Sequence, residues 1–316
     1  MIDPTRSVTE AEVSTYERDG VVVLRDICPQ EWVDEFRIVL DAVFNRETDV
    51  GREGLVSGTS RAGSRVDIAA RVRQMMESHD AATLAIEPDR TPEGRSIVET
   101  DACSWHAGLR EMHINGPLPP IVAALTHSGR VNLYSDQLFM KEPGSSVRTP
   151  WHQDKPYWLL QGSKVAVCWV PVDEVTMESG VMGYVAGSHR WGKVFKPNDF
   201  VTLKGTMNVP GLDFGGLETL PAVDDHPGDY DIRRYEAGPG DVIVHHWMTL
   251  HGSLGNTSAD RLRRAASVRF AGEGVTFYKR PSSPEPFRNT VGLDDGDDLD
   301  GAERFPCVWP RHARAR

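Results

Sequence analysis

The chain has 316 residues, 39% hydrophobic and 26% charged, a balance that allows a buried globular core. A formal net charge of -11 argues against nucleic acid or an anionic membrane as the main partner. Cys28, Cys103, Cys168 and Cys307 form no CxxC pair, which disfavours a disulfide framework or a thiolate zinc site and makes a reducing cytoplasm the expected location.

The first residues, MIDPTRSVTEAEV, lack the basic region and apolar run of a signal peptide. No stretch reaches the ~20 apolar residues of a membrane span, so no membrane partner is expected. Thr9 followed by Glu10, Ala11 and Glu12 is a capping-box pattern and predicts a helix through Arg18. Asp19-Gly20 predicts a turn, and GVVVL a buried strand through Leu24. Pro29 opens a second helix, with Trp32, Val33, Phe36, Leu40 and Val43 as its buried stripe. Residues 47–65 and 86–97 read as loops. SWHAGLREMH and LPPIVAALTHSGR predict helix ending at Gly129.

From Val131 the texture changes to short strands: VNLYSDQLFMKE, KVAVCWVPVDEV, GVMGYVAG, GDVIVHHW and RRAASVRFAG. Turn residues such as Pro143-Gly144 and Pro239-Gly240 separate them, which predicts a sandwich or barrel rather than βαβ units. Residues 196–240, rich in Gly, Pro and Asp, read as a long lid or binding loop, and 47–65 as a second closing loop. The acidic run LDDGDDLD and the basic end RHARAR read as solvated. There is no internal repeat and no dividing linker. One domain over 1–316 is expected, with a helical region over 1–130, a β core over 131–275 and a tail over 276–316.

The stretch TPWHQDKPYW sets His152 and Asp154 two residues apart. On a strand both would face one side. Such a pair in isolation is more often a solvated surface pair; a distant third ligand would make it a metal site. DVIVHHWMTLHGSLGN supplies His251 before a glycine turn, with His245 and His246 as rivals that spacing does not exclude. Two imidazoles and one carboxylate match the facial triad of non-heme Fe(II) oxygenases. Downstream, strand alternation puts Arg263, Ala265, Ser267 and Arg269 on one face and Leu262, Arg264, Ala266, Val268 and Phe270 on the other. A guanidinium beside small neighbours suits a bidentate carboxylate.

YERDGVVVLRDIC from Tyr16, WHQD, VCWVPVDEVTMESGVMGYVAGSHRWG and LHGSLGNTSADRLRRAAS occur in the order and spacing of one family. Over roughly residues 10–275 the chain resembles the phytanoyl-CoA dioxygenase (PhyH-like) family of Fe(II)/2-oxoglutarate oxygenases. The resemblance implies a mostly β fold with flanking helices, a double-stranded β-helix (jelly-roll, cupin-like) barrel. It implies Fe(II) held by His152, Asp154 and His251, with 2-oxoglutarate and O2 as co-substrates. By the same resemblance Arg263 binds the distal carboxylate, Ser253 assists it, Trp169 lines the pocket and Gln137 is a polar contact. The histidine-to-arginine gap is one residue longer than the family pattern, so Arg261 and Arg264 compete for that role; the strand face favours Arg263. The carboxylate at Asp154, absent from related halogenases, points to hydroxylation, desaturation or ring closure.

Lys155, Tyr157 and Trp158, just after the HxD pair, and Arg269 are the substrate-side candidates, Arg269 for a substrate carboxylate. No Lys/Arg cluster suits the phosphates of a CoA thioester, so a small or mid-sized metabolite of secondary metabolism is the expected substrate. Two other readings remain at this level: a zinc hydrolase with the same ligands, and a non-catalytic jelly-roll binding protein.

Overall fold

A computed structural model describes residues 1–45, 65–77, 93–198, 211–283, 292–300 and 302–310. The chain begins with helix α1 (Glu10–Asp19), strand β1 (Val21–Leu24) and helix α2 (Gln30–Phe44). The Thr9 hydroxyl accepts from the Glu12 amide while the Glu12 carboxylate accepts from the Thr9 amide, so the expected capping box forms. Gly20 stops α1 in the left-handed region at φ +73, where a side chain would be strained and would also strike His189. Trp32, Val33, Phe36, Leu40 and Val43 are all buried on α2, as the helical spacing predicts. Truncating Phe36 to alanine would cost about 3–5 kcal/mol.

β2 (Arg65–Asp67) and α3 (Ile68–Glu77) precede β3 (Ser96–Thr100). Ser96 and Ile97, expected in a loop, therefore begin a strand; β3 pairs with the next strand and buries both residues. The helical stretch before Gly129 is two helices, α4 (Ala107–Asn115) and α5 (Leu118–Thr126), because Gly116 and Pro117 break it. The remaining strands are β4 (Val131–Lys141), β5 (Thr149–His152), β6 (Leu160–Gln161), β7 (Val165–Pro171), β8 (Met182–Val185), β9 (Ile232–Arg234), β10 (Val242–His246), β11 (His251–Ser253), β12 (Arg263–Gly272), β13 (Thr276–Phe277) and β14 (Cys307–Trp309).

The strands pair antiparallel. The large sheet runs β1-β10-β7-β12-β4-β3-β2, with β14 on β4; the small one runs β5-β11-β8-β9. β9 lies inside the segment 196–240 expected to be loop, so a stretch of that segment completes the small sheet; residues 199–210 of it lie outside the described residues, as does nearly all of 47–65. Alternation divides the large sheet cleanly. Val22, Leu24, Cys168, Val170, Val244, Ala266, Val268 and Phe270 face α2, α4 and α5 in one core. Val21, Trp169, Ile243 and Ala265 face the other way, against Val181, Met182 and Tyr184 beside the small sheet. The site lies between the two sheets. The aspartates of the acidic tail run are exposed, as expected; Asp298 and Asp294 make surface ion pairs with Arg130 at 2.6 Å and Lys279 at 2.8 Å, and Leu299 alone is buried. No described helix is long and apolar enough to cross a membrane.

Candidate functional site

β5 and β11 are neighbours in the small sheet, and His152 stands directly opposite His251. Gly252 makes this closeness possible, because a Cβ there would sit 2.8 Å from the Thr149 carbonyl oxygen. The two imidazole rings are 4.1 Å apart between centroids. Each ring donates its Nδ1 proton to a backbone carbonyl at 2.9 Å, His152 to Pro150 and His251 to Thr249. That fixes both tautomers and leaves the Nε2 lone pairs aimed at a common point.

Asp154 reaches this point by a route that alternation does not describe. β5 ends at His152, and Asp154 is in the right-handed helical region at φ -77, leading into a 3-10 turn over Lys155–Tyr157. Its amide donates to the Trp247 carbonyl at 2.9 Å, which folds the carboxylate back over the histidines. Asp154 oxygens lie 3.8 Å from His152 Nε2 and 3.9 Å from His251 Nε2. One ligand atom from each of the three lies within 4.8 Å of the others.

Burial alone would favour the neutral acid, but His251, His245 and His152 hold the Asp154 carboxyl well below the usual carboxylate range. Burial pushes the His152 and His251 pKa values down against the opposing pull of Asp154, which favours the neutral, lone-pair-donating ring that a metal needs. One carboxylate and two fixed Nε2 donors on one side, with a free opposite side, are the donor set of a ferrous facial triad, and the residues fit that ion.

The rival histidines separate. His246 donates its Nε2 proton to the Ser163 carbonyl at 2.7 Å, away from the triad. His245 points inward: its Nε2 is 3.3 Å from the Asp154 carboxylate and its ring 4.4 Å from His251. It is therefore a neighbour of the triad that holds the carboxylate. The HH dipeptide was visible in sequence, but the contact across 91 residues was not.

Arg263 is buried on the inner face of β12, opposite Lys141 of β4. Its guanidinium donates to the Gly180 carbonyl at 2.9 Å and lies 5.2 Å from the Trp169 ring centroid. Its Nε has no partner, and no carboxylate pairs with it among the described residues. Burial pushes its pKa down to about 10. The Tyr184 hydroxyl and His245 Nδ1 are also buried without partners. Of these, the Arg263 group is the one that carries a full charge, and a buried charge without a counter-charge is the more costly to leave unpaired. Arg264, the competing arginine, faces outward and is bound to Asp173 and Asp41. Arg261 is exposed.

Ser253 lies on β11 within 2.9 Å of Thr149 Oγ1 and of Lys141 Nζ. Lys141, not singled out in the sequence, stands opposite Arg263 in the sheet register. Gln137 pairs with Arg269 rather than Arg263: its Oε1 accepts from Arg269 at 2.6 Å. Arg269 also donates to Ser135 at 3.3 Å and lies 4.7 Å from the Trp158 ring centroid. Tyr157 sets its ring edge-on to His152, 6.1 Å away, and its hydroxyl donates to the Asn198 carbonyl. Trp158 is buried core, and the ammonium of half-buried Lys155 sits over Trp247 at 5.3 Å. A second group, Asp101, Cys103 and Asp136, has its donors spent: Asp136 on His113 and the Cys103 amide, Asp101 on Arg304.

Comparison with known proteins agrees with this geometry. The family model "Phytanoyl-CoA dioxygenase (PhyH)" matches residues 16–265. The chain is 28% identical to L-proline trans-4-hydroxylase of Streptomyces griseoviridis over 148 residues, 42% of this chain and 52% of that protein. It is 23% identical to the phytanoyl-CoA dioxygenase domain-containing protein 1 homolog of Dictyostelium discoideum over 297 residues, 89% of this chain and 99% of that one. The match thus spans about half the length of the proline hydroxylase. The fold is shared with the non-heme alpha ketoglutarate dependent carbocyclase SnoK of nogalamycin biosynthesis, at TM-score 0.62 and 21% identity over 95% of this chain and 96% of that one. It is shared equally with the epimerase SnoN solved with Fe3+, alpha ketoglutarate and nogalamycin RO, at TM-score 0.62 and 20% identity over 95% of this chain and 98% of that one. Iron and 2-oxoglutarate are the metal and co-substrate on which the PhyH family depends, and the His-Asp-His group is in place for them. The chain belongs to the phytanoyl-CoA dioxygenase (PhyH) family.

Proposed function

We propose that this protein is an Fe(II)- and 2-oxoglutarate-dependent dioxygenase, one jelly-roll domain, that oxidises a C–H bond of a small-molecule metabolite. Succinate and CO2 are the co-products. The observation that carries the reading is the pairing of two features: two tautomer-locked histidines with one carboxylate, and a buried arginine with which no acid pairs among the described residues. His152, Asp154 and His251 would hold the iron. Arg263, assisted by Ser253 and walled by Trp169, would hold the distal carboxylate of the keto acid.

Bound iron and 2-oxoglutarate supply the activation of O2 for hydrogen abstraction. The chain supplies placement. Asp154 is kept ionised, so one negative charge stays on the iron side of the site. His245 restrains that carboxylate. Trp169, Met182 and Tyr184 exclude water around Arg263, where its attraction for an anion is strongest. At the other end of the inner face Arg269, steadied by Gln137, Ser135 and Trp158, would anchor a carboxylate of the substrate, and Tyr157 would face it from beside His152. Lys155, turned onto Trp247, contributes less.

The relatives support small-molecule chemistry: a proline hydroxylase, a carbocyclase and an epimerase. A zinc hydrolase with the same ligands gives Arg263 no task. The deciding experiment is a substrate screen on iron-loaded protein that follows O2 uptake and succinate release. A true substrate raises both together above the uncoupled background; hydrolysis of a substrate without O2 or 2-oxoglutarate overturns the reading.

A further inference from the structure

We propose that Lys141 is a second cation of the keto-acid seat, acting through Ser253, whose hydroxyl it orients toward the distal carboxylate. This inference rests on the function proposed above. Lys141 is the last residue of β4 and stands directly opposite Arg263 of β12, so both side chains leave the sheet on its inner face. The ammonium is buried, with 4% of the residue exposed.

Its three donors go to neutral oxygens: the carbonyls of Val147 at 2.9 Å and Leu254 at 2.8 Å, and Ser253 Oγ at 2.9 Å. Among the described residues no carboxylate pairs with it. The charges nearest it are cations, Arg263 and then Arg148, and burial followed by this repulsion pushes its pKa well below the usual lysine range. Buried lysines are almost always paired with an acid. Two adjacent buried cations without one are a seat for an anion.

Because the lysine donors are spent, a carboxylate would not meet Nζ itself. It would meet the hydroxyl that Nζ controls. Ser253 Oγ accepts from Lys141, so its own proton must point elsewhere; here it points to Thr149 Oγ1 at 2.9 Å. Turning that proton to a carboxylate beside Arg263 needs only rotation about one bond. An N–H donor fixed behind the oxygen polarises the hydroxyl and strengthens the bond it donates. Lys141 is thus a positioning residue. The competing role is a purely structural staple between the end of β4 and the segments around Val147 and Leu254.

The test uses the full chain, loaded anaerobically with Fe(II), in wild-type and Lys141→Met forms. Each is titrated with 2-oxoglutarate and with 2-oxovalerate, which has the same keto-acid head and no distal carboxylate. The readout is the visible metal-to-ligand charge-transfer band. The expected result is a Kd for 2-oxoglutarate raised about tenfold or more, the size of one charge-assisted hydrogen bond, with 2-oxovalerate within about twofold of wild type. Equal weakening for both acids, or none for either, overturns the proposal. If Lys141→Met does not fold, Ser253→Ala takes its place, with the same selective loss expected and an unchanged 2-oxoglutarate Kd overturning it. A wild-type protein that gives no band with either acid refutes the iron and keto-acid reading itself, and this inference falls with it.

Discussion

The two faces of β12 carry neighbouring arginines in opposite circumstances. On the outer face Arg264 donates to Asp173 at 2.9 and 2.7 Å and also to Asp41, and those acids raise its pKa above the usual arginine value. On the inner face Arg263 has one neutral carbonyl and an aromatic wall, and burial lowers its pKa to about 10. The outer arginine belongs to the scaffold: it ties β12 to α2 and to the turn after β7. The inner one is a cost in the empty scaffold, since an unpaired buried charge opposes folding. A protein tolerates such a charge where a ligand will neutralise it. The same contrast repeats at β10, where His245 faces the triad and His246 faces the Ser163 carbonyl.

The contrast is sharpened most by Arg263→Ala. It should weaken 2-oxoglutarate about a hundredfold, as expected for a bidentate charged contact, while thermal stability holds or rises. A fall in Tm with unchanged keto-acid affinity would place Arg263 in the scaffold instead. Next in size is His245→Phe. Loss of the contact to Asp154 should weaken Fe(II) binding roughly tenfold to a hundredfold, read by competition with a chelator. Unchanged iron affinity would reduce His245 to filler.

Arg269→Ala should raise the substrate KM about tenfold while 2-oxoglutarate affinity holds, since its seat is at the far end of the inner face. Equal losses in both would show one shared anion site. Arg264→Ala should do the converse: a destabilisation of about 1–3 kcal/mol, seen as a few degrees in Tm, with keto-acid Kd unchanged. The smallest effect concerns His246. Burial pushes its pKa down to about 4, so the folded state keeps the ring neutral where the unfolded chain protonates it. Its contribution is therefore intact above about pH 6.5 and is lost progressively as pH falls toward 4. His246→Gln should flatten the urea stability profile across that window; an unchanged slope would contradict the assignment.

Much of this site was legible in the sequence, for reasons that can be named. His152, His251 and Arg263 sit on strands, where alternation and a following glycine fix direction within a few residues. Asp154 was found for an incomplete reason: a turn held by the Trp247 carbonyl, not strand alternation, brings it to the histidines. His245 was visible as a rival ligand, but its contact with Asp154, like that of Lys141 with Ser253, spans 91 and 112 residues respectively and could not be read from the sequence. Gln137, expected from the resemblance as a polar keto-acid contact, instead bonds Arg269 and stands two inward positions from Lys141. The loop reading of 196–240 missed β9 because that strand is short and polar, and only its pairing with β8 makes it a strand.

We propose that His152, Asp154 and His251 together would hold one ferrous ion, and Arg263 the distal carboxylate of 2-oxoglutarate. The most direct measurement is anaerobic titration of the protein with Fe(II) and 2-oxoglutarate, followed by visible absorption. The expected result is a charge-transfer band that saturates at one iron and one keto acid per chain and vanishes in Asp154→Ala. A featureless spectrum at saturating iron and keto acid, or a band indifferent to that substitution, would contradict it.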